Sequence, residues 1–223
     1  MATTKKATST AKKPDEHQLI THYMQMVLET NETPKNVFVF CKNLQVNESD
    51  FYAHFNSLDA LQQTIWVKFF ENAVSTIEKE SAFAGYSDKN KLLTLFFTLF
   101  EILTLNRSYV VYALKENKQG LKNLESLKLC RQEFKKYIEQ VVISPKVGAF
   151  EKVAKATEKV YAEGAWIQFL FLLKFWLDDT SKGFEKTDIL IEKSVNTVVD
   201  LADTKPLESL FDLGKFLWKE KMQ

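Results

Sequence analysis

Side chains able to do acid–base, nucleophilic or metal chemistry are sparse in this sequence of 223 residues, which has only three histidines and two cysteines. His17 and His22 stand five residues apart, off a common helix face, and no Cys, Asp or Glu joins them at ligand spacing; no metal site is expected. Cys41 and Cys130 each sit among apolar neighbours and read as small buried hydrophobes in a reduced compartment. Asp178 and Asp179 are adjacent carboxylates at the end of an expected helix. Acid–base work needs facing carboxylates, whereas neighbours on a helix point about 100° apart, so both are expected in a solvated loop. No serine or cysteine occupies a nucleophile elbow, and no glycine-rich phosphate loop exists. The expectation is a protein that is not an enzyme and needs no cofactor.

What the chain does have is rings. Phenylalanine alone accounts for 18 residues, and many fall in two segments: Phe96, Phe97 and Phe100, then Trp166, Phe169, Phe171, Phe175 and Trp176. Both segments are apolar nearly all round, which is more than one core-facing stripe requires. Extra apolar faces call for a subunit interface or a ligand cavity.

These residues must be positioned by helices. Only 6 Gly and 4 Pro occur, which disfavours sandwiches and barrels, and apolar residues recur at three- and four-residue steps almost throughout. The period predicts about ten helices and no strand: an all-α protein. Residues 1–14, with Lys5, Lys6, Lys12, Lys13 and no acid, read as a flexible basic tail. A three-helix unit is expected over 15–56 and a larger helical domain over 57–223. Thr33-Pro34 reads as the start of the second helix, Asn47 to Asp50 as a capping box for the third, and Ser57 as the cap of a long fourth. Leu121 to Val141 reads as one helix, about 150–178 as the eighth, and Thr187 as the cap of the ninth. Residues 206–221 form an amphipathic tenth helix, docked on the parent domain or, alternatively, on a membrane surface. No signal peptide or membrane-spanning segment is read, so a cytoplasmic protein is expected, peripheral to a membrane only in that alternative.

Residues 35–61, KNVFVFCKNLQVNESDFYAHFNSLDAL, resemble the helix-turn-helix of the TetR family of bacterial repressors. Phe40-Cys41 fall at the family's Ile-Ala pair, Val46-Asn47 at the Val-Ser of its turn, and Tyr52-Ala53-His54-Phe55 at its Tyr-x-His-Phe, with Ser57 and Leu61 in register downstream. Gln45 stands where the turn has glycine, Ser49 and Asp50 where the recognition helix begins. The resemblance implies a homodimer through the eighth and ninth helices and a ligand cavity between the fourth and eighth. Carried over by position, Trp166, Phe169, Leu173 and Trp176 divide between interface and pocket, with Thr94, Thr98, Glu101, Tyr109 and Tyr112 supplying polar groups. Such a pocket suits an apolar or lipid-like ligand. In DNA the corresponding contacts would come from Lys35, Lys42, Asn47, Tyr52 and His54, although the Tyr-x-His-Phe histidine reads first as a packed structural residue.

Charge weighs against that last role. From Asp15 to Trp66 there are seven acids against Lys35 and Lys42, net −5, while helix-turn-helix dimers gain most of their affinity by neutralising phosphates. The sequence therefore reads as a TetR-like ligand-binding regulator with a degenerate reading head. A working repressor released by an apolar ligand, and a membrane-docked lipid-handling protein, stand as alternatives.

Overall fold

The computed structural model describes residues 13–116, 120–142 and 151–202; among them there are nine α-helices and no strand. The expected tail over 1–12 and the expected tenth helix over 206–221 lie outside the described residues.

Two compact units emerge from the contacts. The described part of Met1–Val67 groups with Asn106–Leu129, and Lys68–Leu105 groups with the described residues from Cys130 on. In the first unit, α1 (Glu16–Thr30) opens on a reciprocal capping box. Asp15 accepts from the Gln18 backbone N–H at 2.8 Å, and Gln18 accepts from the Asp15 N–H at 3.0 Å. Asn31 ends the helix in the left-handed conformation that asparagine tolerates. The second helix, α2 (Val37–Leu44), starts later than its sequence indicates. The Thr33 hydroxyl is taken by Tyr112 at 3.0 Å, so Asn36 instead caps the helix, accepting from the Val39 N–H at 2.9 Å. Gln45, at φ 60°, makes the left-handed turn into α3 (Glu48–Tyr52) without glycine, at a cost of about 1–2 kcal/mol. As expected, the Ser57 hydroxyl accepts from Ala60 to start α4 (Leu58–Glu78).

The expected single helix from Leu121 to Val141 is three pieces. Leu121, Leu124 and Leu127 are spaced by three, the period of a 3₁₀-helix, and Gly120–Leu127 takes that form. Only from α7 (Lys128–Tyr137) does the spacing relax to 3.6, with Cys130, Phe134 and Tyr137 buried, and a π-helical turn over Ile138–Val142 follows. A second π-helical turn, Tyr112–Glu116, extends the short α6 (Arg107–Val111).

In the second unit, α5 (Asp88–Leu105) buries seven apolar residues and packs on α9 (Glu185–Ala202), which also packs on α8 (Glu151–Asp178). Glu163 on α8 receives both Arg131 and Lys135 from α7. Those donors, Lys135 foremost, hold its carboxyl below the usual range.

The α8–α9 corner corrects two sequence expectations. Asp179 is buried and not in a solvated loop; it accepts from the Ser181 N–H (2.8 Å) and hydroxyl (2.7 Å) and from the Thr187 N–H (3.0 Å) and hydroxyl (2.7 Å). Thr187 is consequently inside α9 and not its cap, because Asp179 and Ser181 satisfy the free N–H groups of the first turn from outside. Gly183, at φ 62°, permits the reversal. Burial alone would raise the Asp179 carboxyl, but the Ser181 and Thr187 hydrogen bonds outweigh it and bring the value down to about 2.

Asp179→Ala is expected to lower stability by about 1–2 kcal/mol in urea unfolding, the scale of a lost helix cap. Because the folded-state pKa is depressed, the wild-type contribution is full above the unfolded carboxyl value of about 3.9 and is lost as pH falls toward 2. The stability difference between wild type and variant should therefore shrink across that window. A difference unchanged between pH 6 and pH 2.5 would show that the charge of Asp179 contributes nothing.

Candidate functional site

The head is built around rings. Phe40 of α2 meets Tyr23 of α1 edge-on at 6.0 Å and Phe51 of α3 at 5.8 Å, and Phe51 meets Phe55 at 5.7 Å. Leu19, Val27, Cys41, Leu61 and Ile65 complete this core. The turn after α2 is closed by the Val46 N–H donating to the Cys41 carbonyl at 3.0 Å. Asp50, only 9% exposed, accepts from the Asn47 backbone N–H at 3.2 Å and lies 3.7 Å from Lys13. It acts as a helix cap.

The residues expected to face DNA all lie on the surface of this unit. Lys35, Lys42, Asn47, Tyr52 and His54 are exposed. For His54 this corrects the expectation of a packed imidazole. The backbone still follows helical bonding past Tyr52, with the Phe55 N–H donating to the Phe51 carbonyl, so Phe51 and Phe55 share the inward face and His54 turns outward. Phe38, 58% exposed, and Val39 sit beside Lys42 on α2 as apolar surface that the sequence reading did not single out. The local potential is negative. The Cys41 thiol is raised by burial and then by the Glu48 and Asp50 carboxylates.

Tyr109 and Tyr112 belong to this first unit, where α6 packs on α1. Tyr23 accepts from the Gln62 amide at 2.7 Å, and Tyr112 shares a hydrogen bond with Thr33 at 3.0 Å. Burial foremost, with neighbouring tyrosines adding, raises the phenols of Tyr23 and Tyr109. These groups serve as neutral hydrogen-bonding struts within the unit. The contacts do not group them with the α5 and α8 residues that the resemblance names beside them.

In the second unit Trp166, Phe169 and Leu173 are brought together and buried. Phe134 of α7 lies at their centre, with ring centroids 5.5 Å from Trp166, 5.8 Å from Phe169, 6.3 Å from Phe96 and 5.7 Å from Phe70. Phe100 extends the cluster to Trp176, whose indole N–H donates to Thr104 at 3.2 Å. Thr94 and Thr98 are half-buried on α5, with the Thr94 hydroxyl returned to the Asn90 carbonyl, while Glu101 is exposed. The other side of α8 shows a second apolar face. Val160, Ile167 (60% exposed), Phe171 (55% exposed) and Phe175 line up at seven- and four-residue steps around an open Gly164. Among the described residues no helix is long and apolar enough to cross a membrane.

A comparison with curated proteins returned no match. The family model described as tetracyclin repressor-like, C-terminal domain, matches residues 91–217, more than half of the chain and most of the second unit. With an all-helical architecture and a helix-turn-helix-like head in front of that match, the chain belongs to the TetR family of regulators.

Proposed function

We propose that the protein is a homodimeric, ligand-responsive TetR-family regulator that takes an apolar or lipid-like molecule into its larger helical unit, and that its head does not read DNA sequence. The observation that carries the ligand reading is the ring cluster around Phe134. It joins α4, α5, α7 and α8 through aromatic faces, with the Thr104–Trp176 pair as its polar edge. Rings held by dispersion and burial part for an alkyl chain at lower cost than a hydrogen-bonded network would. Thr94 and Thr98 stand nearby on α5 as hydroxyls for one polar head. The expected result is saturable quenching of Trp166 and Trp176 emission by a bromine-labelled dodecanoic acid, reduced by about half in Trp166→Phe, as roughly equal shares of two indoles against one ring cluster imply. Linear, non-saturating quenching would remove the interior ligand.

The exposed face of α8 supports the dimer. A row of large apolar residues on one side of a long helix is surface that an isolated chain rarely leaves in water. In sedimentation at micromolar concentration the wild type is expected at twice the single-chain mass of 25.8 kDa, and Phe171→Glu at that mass. A Phe171→Glu variant that still sediments as a dimer would move the interface away from α8.

The second reading, a working repressor, is favoured by one specific observation. Gln45 keeps the helix-turn-helix geometry, and Lys35, Lys42, Asn47, Tyr52 and His54 all remain exposed. Against it stand the carboxylates at the start of α3, which oppose phosphate. Wild-type protein is expected to give no band retardation with genomic fragments at low salt, and Glu48→Lys to introduce weak, strongly salt-dependent retardation. Specific retardation by the wild type at physiological salt would establish the repressor reading instead. The third reading, membrane attachment through residues 206–221, rests on sequence alone, since that segment is outside the described residues.

A further inference from the structure

Outside the interior cluster, the carboxy-terminal half of α4 and the outer side of α7 leave a groove of about 470 Å³ within the second unit. Its floor is apolar: Phe70 and Tyr137 meet edge-to-face at 5.8 Å, with Val74 beside them. One of the lining residues carries an unusual atom. Tyr137 is 8% exposed, and its hydroxyl is buried with no hydrogen-bond partner, although it lines the groove. Buried hydroxyls are normally paired, so one left without a partner on a residue that lines a groove marks a position where a polar group able to reach it completes the site. Burial, and then the Glu78 carboxylate, raise the phenol to about 12, so it stays protonated.

The charges around it select the ligand. Glu71 is paired with Lys68 at 3.0 Å, and Glu133 lies 3.9 Å from Lys136. Glu78 has no ion-pair partner among the described residues and stands in the last turn of α4, where the free carbonyls add negative partial charge and the turn itself carries no base; Lys79, the next residue, also lines the groove, as does Lys136. At the far end Gln140 belongs to the π-helical turn Ile138–Val142, a distortion that recurs at functional sites and is here tethered by Lys91 donating to the Val141 carbonyl at 3.1 Å.

We propose that this groove binds a small arylalkyl ammonium compound, its ring on Phe70 and Val74 and its ammonium between the Tyr137 hydroxyl and the Glu78 carboxylate. Aromatic floor, carboxylate and unpaired hydroxyl are the three elements that recognise such a cation. The groove shares Phe70 with the ring cluster around Phe134 but is not lined by Phe169 or Trp166, and it does not depend on an apolar ligand in the cluster. The test is calorimetric titration of the full chain with phenethylammonium chloride and, separately, with 2-phenylethanol, its uncharged counterpart. Saturable amine binding is expected, about tenfold or more tighter than the alcohol, the scale of one charge-assisted contact. Glu78→Gln should remove that preference and leave the alcohol unaffected. Tyr137→Phe, which keeps the ring and the fold, should weaken the amine by about threefold to tenfold. Thermal unfolding of both variants checks that each is folded. Absence of saturable amine binding, or equal amine affinity in wild type and folded Glu78→Gln, overturns the proposal.

Discussion

Phe134 is the point on which the second unit turns. A single ring on a ten-residue helix is in contact with rings from α4, α5 and α8, and through Phe169 and Phe100 it reaches Trp176. Flat rings in tilted, stacked and edge-on geometries fill the space between these helices. The polar ties are placed around this centre. Glu163 clamps α7 to α8 on its outside, and Asp179 fixes the reversal from α8 to α9.

The same arrangement explains why α8 has two apolar faces with different fates. Trp166, Phe169, Leu173 and Trp176 point into the ring cluster, while Val160, Ile167, Phe171 and Phe175 remain in solvent in the single chain. One face builds the unit; the other is available to a second copy. The proposed function uses both faces of this one 28-residue helix, the inner for a ligand and the outer for a second copy.

The head combines a helix-turn-helix core with an acidic balance of charge. The three-helix core and the turn geometry persist with Gln45 in place of glycine, because Phe40, Phe51 and Phe55 fix the helices from inside. That core is apolar, and Asp50, buried at its edge, contributes a cap at the start of α3. Stability and DNA recognition draw on different atoms of the same helix.

Helix positions, the resemblance of residues 35–61 and the burial of both cysteines were legible in the sequence, because period, caps and apolar neighbours are local quantities. The three-residue leucine spacing of the 3₁₀ run is present in the sequence too, but it continues into the apolar recurrence of α7 and reads with it as one helix. Other features depended on partners remote in sequence. Thr33 fails as a cap because Tyr112 claims its hydroxyl, and Asp179 is buried because Ser181 and Thr187 fold back to it. Tyr109 and Tyr112 group with α1, because contacts and not sequence proximity decide which unit a short helix joins. The open hydroxyl of Tyr137 has no sequence signature at all. Whether a buried donor finds a partner depends on which side chains surround it in three dimensions, and that is settled only when the helices pack.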